Sequence, residues 1–373
     1  MTLILSGSDG VTFPDSTEQE TGYANGIGFR NRIINGDMRI DQRNAGAAVT
    51  VVSGSYAVDR FRQTMTSDFA GVSSQQDSDA PSGFTKSLKW TVTSAASAIT
   101  TQQCTIRQNI EGYNIADLGF GQSGSETLTL SFWVRSSVTG TYCIALRNSS
   151  EDRSLVREYT ISSADTWEYK TITAIPKDTT GTWNSTNGSG VQLHWDLGSG
   201  PDRNAAATDT WYTAAYLRTS NQTNWVNTSG ATFYLTGVQL EVGSVATPFE
   251  RRPYGTELIL CQRYFNNVVL GDSVGILGLV DTTTAAICIY TYPVQMRATP
   301  SLTTTGTAAD YRIRRTGPAT TVCSAVPVIG GGTEANNTIA RINATVASGL
   351  TGGQCIYLDA SSTTKNLGFS AEL

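Results

Sequence analysis

The chain contains one histidine, His194, in the stretch VQLHWDLG. Strand alternation there puts Gln192, His194 and Asp196 on one face and Val191, Leu193, Trp195 and Leu197 on the other. A histidine beside an aspartate has the residue types of a nucleophilic relay, but no GxSxG elbow accompanies it. His194 therefore reads as a solvated or hydrogen-bonded strand histidine, and Trp195 as core. The six cysteines are widely spaced, with no CxxC and no Cys/His cluster, so they read as small buried apolar side chains. No phosphate-binding GxxxxGK[ST] run occurs, and no Gly-rich turn opens a helix. Paired carboxylates could run glycoside hydrolysis, yet the charged stretches DRFRQTM and EDRSLVRE read as solvated faces. The expectation is a protein that binds without catalysing, with no metal and no cofactor.

The aromatic residues carry more. Trp183 and Trp225 fall in loops rich in Asn, Thr and Gly, and Trp211 with Tyr212 follows another polar loop. Exposed rings beside amides suit sugar recognition, the ring stacking on C–H faces and the amides binding hydroxyls. Trp183 and Trp225 are the leading candidate glycan contacts, with Trp211 and Tyr212 behind them. The competing reading folds these rings over a sandwich edge or into a subunit interface.

These residues must be positioned by β-structure. Of 373 residues, 15% are charged and 39% hydrophobic, and glycine is abundant at 36. Such a composition suits a turn-rich all-β protein. The net charge of −5 and the absence of a basic stripe argue against nucleic acid as a partner. Apolar runs are too short for membrane insertion, and MTLILSGSDG lacks the basic and apolar regions of a secretion signal. LTLSFWVR alternates as a strand and reads as a hairpin with TYCIALRN across SSVTG; WEYKTITAIP and VQLHWDLG follow as strands. Residues 31–250 thus predict a jelly-roll-like β-sandwich. ATPFERRPYGTELILCQRYF supplies the one helix, with Thr256 as N-cap, Glu257 in its first turn, and Leu258, Cys261, Gln262 and Phe265 on one face. Residues 251–265 read as a rigid spacer. Residues 266–373, with candidate strands such as AAICIYTYP, YRIRR and TIARINATV, predict a second β-sandwich domain. Residues 1–30 have too little apolar surface for a core of their own and read as an extended N-terminal segment.

Two resemblances follow from particular stretches. NRIINGDM, taken as an Asn-rich strand, with LTLSFWVRSS and FYLTGVQLEVG resembles jelly-roll carbohydrate-binding modules over about 31–245. Thr236 and Gly237 stand where such modules often carry an Asp pair, which leaves a structural calcium without its ligands. NRIINGDMRIDQRNAG, YAVDRF, TGVQLEVGSVATPFERRPYGTELILCQRYF, YPVQMRATPSL and LGFSAEL together look like tail-fibre and related virion proteins of tailed bacteriophages. SGSDGVTFPDSTEQ resembles the segment that often precedes them. The resemblance implies a homotrimeric virion protein, made in the bacterial cytoplasm, whose β domains recognise a host-surface glycan or receptor. Residues 1–30, with Val11, Phe13 and Pro14, would dock it to other virion proteins. A glycan-depolymerising tailspike and a purely structural adaptor or head fibre are the alternatives.

Overall fold

The computed structural model describes residues 29–66, 70–96, 99–124, 126–315, 319–330, 335–361 and 365–373, together with the backbone of three short N-terminal strands. Those are β1 (Ile4–Ser6), β2 (Gly10–Thr12) and β3 (Glu18–Gln19), which pair in that order. Val11 lies in β2; Phe13 and Pro14 lie outside the described residues.

The main body contains β4 (Val49–Thr50), β5 (Phe61–Met65), β6 (Gly71–Asp77), β7 (Ser87–Ser94), β8 (Cys104–Glu111), β9 (Thr127–Ser136), β10 (Gly140–Arg147), β11 (Ser154–Ile161), β12 (Glu168–Pro176), β13 (Ser189–Asp196), β14 (Trp211–Tyr212) and β15 (Thr232–Val242). They form two six-stranded sheets, ordered β14-β11-β10-β13-β8-β5 and β12-β9-β15-β7-β6-β4. The inner faces meet in one core that includes Trp90, Phe132, Leu193, Trp195 and Phe233. The sandwich arises because each strand alternates: Leu128, Leu130, Phe132 and Val134 turn inward from β9, as Leu193 and Trp195 do from β13.

β9 and β10 are not the hairpin their sequence suggests. β9 pairs with β12 and β15, while β10 pairs with β11 and β13. The SSVTG connection therefore crosses from one sheet to the other, a step of roughly 10 Å between packed sheets. In β15 the register slips between Thr236 and Gln239, and Gly237 takes φ 62° there. A Cβ on Gly237 would meet Trp133 Cδ1 at 2.9 Å, so both conformation and space require glycine.

NRIINGDM is not a strand either. Asn35 and Met38 adopt φ of 59° and 58°, and the segment makes turns. The reason is local: Asn35 Oδ1 accepts from Ile40 N, while Asn35 Nδ2 donates to the Ile40 and Asp59 carbonyls. Those bonds replace a strand ladder.

α1 (Tyr254–Gln262) begins directly after Pro253, not at Thr256. Proline entering a helix loses no hydrogen bond there. Glu257 does occupy the first turn, but it is buried and accepts from the Asn35 backbone N–H and from Arg252 Nη1. These bonds anchor the helix to the turn at Asn35. Cys261 and Tyr264 pack on Ile34 and Ile40, with Leu258 and Leu373 against them.

Beyond α1 come β16 (Phe265–Leu270), β17 (Ile276–Val280), β18 (Ala285–Thr291), β19 (Ser301–Thr304), β20 (Tyr311–Arg315), β21 (Thr320–Val322), β22 (Val328–Ile329), β23 (Ile339–Thr345), β24 (Cys355–Ala360) and β25 (Lys365–Ser370). A three-stranded sheet, β16-β25-β19, and a seven-stranded sheet, β21-β20-β24-β17-β18-β23-β22, share a second core. Ala340, Ile342, Ala344 and Val346 face that core as their alternation requires.

The two cores meet at a polar joint. Glu111 accepts from Arg263 Nε at 2.8 Å and from the Tyr264 hydroxyl at 2.5 Å. The Arg60 guanidinium lies 3.5 Å over the Tyr264 ring and pairs with Glu372. Arg43 lies 3.6 Å over Phe265 and bonds Asp59 and Glu372, each at 3.0 Å. Arg297 donates to the Ala371 and Glu372 carbonyls at 2.7 and 3.0 Å.

Candidate functional site

The four aromatic residues singled out by sequence do not form one surface. Trp225 has 0% exposure. Its ring packs near Phe233, with centroids 6.3 Å apart, and its Nε1 donates to the Thr232 carbonyl at 3.2 Å. The polar loop around it is a cover for the sandwich end, so Trp225 offers no face to a ligand. Trp183 and Trp211 do come together, 5.4 Å apart and nearly perpendicular, with Phe120 4.6 Å from Trp183. Both are half-buried, and each indole N–H is held by a carbonyl, that of Thr180 or Pro176. Tyr212 sits apart, against Tyr216 at 5.2 Å. Five cysteines are buried as expected; Cys355 is exposed, because it lies on the outward-facing side of β24. No group of three or more His, Cys, Asp or Glu side chains could hold a metal ion among the described residues.

A different surface concentrates polar chemistry. On the sheet β14-β11-β10-β13-β8-β5, the side chains pointing away from the core line up in rows set by the register. Arg62 stands opposite Arg107, Arg107 opposite His194, and His194 opposite Ala145. The next row runs Asn109, Gln192, Arg147. The row on the other side runs Thr64, Thr105, Asp196, Cys143. Alternation in CTIRQNIE and VQLHWDLG delivers these residues as the reverse side of the core positions.

The chain from 197 to 227 roofs part of this face. Ala205 and Leu217 cover Cys143, Ala145 and Val156. Arg218, itself buried, pins the roof by donating to the Ser199, Thr219 and Gln222 carbonyls and to Asn224 Oδ1. Asp196 Oδ1 accepts from the backbone of Gly198 and Ser199 and from Gln222 Nε2. Towards β5 the roof ends, and Arg62, Thr64, Gln103 and Arg203 are only half-buried.

The face carries unused hydrogen-bonding capacity. Among the described residues, Thr64 Oγ1, Thr105 Oγ1, Arg107 Nε, Arg147 Nε, His194 Nδ1 and Asp196 Oδ2 are buried without a partner. Buried polar atoms are nearly always paired in folded proteins, so these six, with Asn109 Oδ1 making seven on one sheet face, are unusual. His194 is 1% exposed. Its Nε2 lies 3.2 Å from Gln192 Oε1, which also accepts from Arg107 Nη1 at 3.2 Å. An amide oxygen only accepts, so Nε2 carries the proton and Nδ1 presents its lone pair. Burial, then the nearby Arg147, Arg107 and Arg62, hold the imidazole well below the usual histidine range, so it is neutral. Burial likewise pushes the Arg107 guanidinium down to about 10, with Arg62 adding to the shift. The face thus offers donors, a neutral acceptor and positive charge, beside one carboxylate oxygen of Asp196. Sequence reasoning put Gln192, His194 and Asp196 on one face but did not see them joined to Arg62, Arg107 and Arg147. Those partners lie up to 134 positions away (Arg62 to Asp196) and only the register brings them together. The polar alternation in CTIRQNIE was the available signal.

The described fold is an all-β sandwich, and comparison adds little beyond that. No family model matches the sequence, and no curated protein is significantly similar to it. Among solved structures, similarity is found to the enzymatically active domain of bacteriophage CBA120 tailspike protein 4, at 12% identity and TM-score 0.32. It covers 57% of this chain and 22% of that one, so the chain spans about a fifth of the tailspike domain's length. A putative sugar-binding protein from Bacteroides thetaiotaomicron matches at 10% identity and TM-score 0.33, covering 57% of this chain and 100% of the other. TmCBM61 in complex with β-1,4-galactotriose matches at 10% identity and TM-score 0.27, covering 58% and 100%.

Proposed function

We propose that this protein is a structural component of a tailed-phage virion, a fibre that recognises the bacterial surface by binding glycan without cleaving it. The virion assignment rests on the sequence motifs at the joint. The binding assignment rests on one observation: the run of buried, unpartnered donors and acceptors across β5, β8, β13 and β10. A polyhydroxyl ligand would satisfy such groups, whereas leaving each unmet costs about 1–3 kcal/mol. The half-buried Trp183–Trp211–Phe120 group is a second place where sugar rings can stack.

The fibre is a homotrimer in this reading. The seven-stranded sheet presents Leu277, Leu279 and Ile289 outward, Leu277 at 75% exposure. Apolar groups gathered on one open sheet face mark an interaction surface, and closed symmetry would bury them between copies. Residues 1–30 would attach the trimer to other virion proteins.

The test is binding of the purified full chain to an array of bacterial surface polysaccharides, with reducing-sugar release followed in parallel. Retention of intact polysaccharide, lost in Arg107→Ala without loss of fold, supports the reading. Release of reducing ends would establish the depolymerase alternative instead. Binding to no polysaccharide, with incorporation into particles intact, would favour a purely structural adaptor.

A further inference from the structure

We infer that the polar sheet face selects an acidic glycan, binding a sugar carboxylate between Arg62, Arg107 and Arg147. This rests on the glycan-binding reading above and names its ligand class. The argument begins with charge placement in a protein whose net charge is −5. Arg62 and Arg107 are directly opposite in an antiparallel pair. Like charges so placed are destabilising, and such local conflicts gather at functional sites. Arg62 has no ion pair among the described residues.

Arg107 and Arg147 share a single carboxylate, that of Glu151. Arg147 Nη2 bonds Glu151 Oε2, and Arg107 Nη1 lies 3.5 Å from Glu151 Oε1. Glu151 is the exposed member: its side chain is 42% exposed, whereas those of Arg147 and Arg107 are 1% and 9% exposed. It sits in the turn between β10 and β11 at φ 57°. Glu151 thus shows the group this arginine pair accepts, held by a residue that reaches the surface. The other acids nearby are held by partners of their own, apart from Asp196 Oδ2, which has none. Asp196 Oδ1 is taken by the turn at Gly198 and Ser199, Glu158 by Thr219 and Asn221, and Asp202 by Arg203 at 3.3 Å. Planar guanidinium groups suit a two-oxygen anion. His194 Nδ1 and Thr105 Oγ1, both buried and unpartnered in adjacent rows, provide for the ring hydroxyls that distinguish a sugar acid from a bare anion.

The single histidine gives a direct readout. In the full chain with 13C-labelled histidine, only His194 contributes an imidazole signal. The probes are galacturonate, galactose and inorganic phosphate at equal concentration. Galacturonate should shift the His194 signal saturably and more weakly as salt rises, while galactose leaves it in place. Arg62→Gln, at a half-buried position that spares the core, should weaken galacturonate at least about tenfold, the scale of one lost charged hydrogen bond. Equal shifts from galactose and galacturonate would overturn the acidic selection while leaving glycan binding standing. Equal shifts from phosphate and galacturonate would overturn the sugar assignment and leave an oxyanion site. No shift from any probe, in a chain that still retains polysaccharide on the array, would overturn this face as the site.

Discussion

Replacing Trp225 by alanine separates the two meanings of a tryptophan in a polar loop. In this fold Trp225 is a closing plug: its ring is fully buried, it neighbours Phe233, and its N–H satisfies the Thr232 carbonyl. Truncating a buried tryptophan costs about 3–5 kcal/mol, counting both lost transfer energy and the cavity. Little relaxation is available to refill the gap, since neighbouring Val226 is also buried and lies close to Gly198. For a cooperative unit of this size, each kcal/mol lowers Tm by about 2–4 °C, so Trp225→Ala should melt about 6–20 °C lower. Trp183→Ala should shift Tm much less, because that ring is half-buried beside Phe120 and Trp211. Thermal unfolding by far-UV circular dichroism measures both. Cell binding should be compared below the lower transition, where both variants are folded. An unchanged Tm for Trp225→Ala would refute the packing argument and return that ring to the list of ligand contacts.

Three further outcomes follow. Glu111→Ala strips the partner from Arg263 and from the buried Tyr264 hydroxyl; because Arg263 is partly exposed and can rehydrate, the loss should be about 2–4 kcal/mol, seen as earlier proteolytic cleavage near 262–270, and unaltered cleavage kinetics would count against the joint. His194 is held neutral by burial and by Arg147, Arg107 and Arg62, so its folded pKa lies well below the unfolded value of 6.5. The unfolded chain therefore takes up a proton that the native state refuses, and stability drops as pH falls through 6.5. His194→Gln should remove this loss, so the Tm difference between variant and wild type should grow in the variant's favour from pH 7 to pH 5. Comparing the two chains cancels the opposing effect of buried acids such as Asp59, whose pKa is pushed up to about 6; a constant difference would contradict the neutral imidazole. Leu277→Glu with Leu279→Glu should convert a trimer to monomer in sedimentation velocity, and a wild-type chain that is already monomeric at micromolar concentration would remove the trimer from the reading.

Some of this was legible in the sequence and some was not, for identifiable reasons. Strand alternation is local, so the inner faces of β9, β13 and β23 could be read directly. Sheet membership is not local: SSVTG looks like a hairpin turn, and only the competing partners of β9 and β10 make it a crossover. The Asn-rich start was misread because Asn35 can build a turn from its own side chain as readily as its neighbours can extend. Loop composition misled for Trp225, since polar neighbours do not reveal a ring that turns back into the sandwich. The orphaned polar face needed three separate stretches, around Arg62, Arg107 and His194, placed in register.

The motifs that resemble phage fibres converge on one place, and it is not the binding face. Asn31 of NRIINGDM donates to the Val238 carbonyl, and Arg252 of PFERRPYG donates to the Ile33 carbonyl. Arg60 of YAVDRF stacks on Tyr264 of LCQRYF, while Arg297 of VQMRATP holds the carbonyls of Ala371 and Glu372 in the terminal FSAEL. Five separated stretches thus build a single joint between two β cores. A joint of buried and half-buried arginines, each stacked, paired or bonded to carbonyls, tolerates little substitution where the partner is buried, because removing one strands the other away from water. On the binding reading proposed above, the surface of β5, β8 and β13 faces a different demand: its side chains must match a ligand and need not match one another. The stretches that resemble phage fibres therefore describe how the two β cores are held together. On the same reading, the identity of what it binds is written in the alternate residues of ordinary strands, where no contiguous motif displays it.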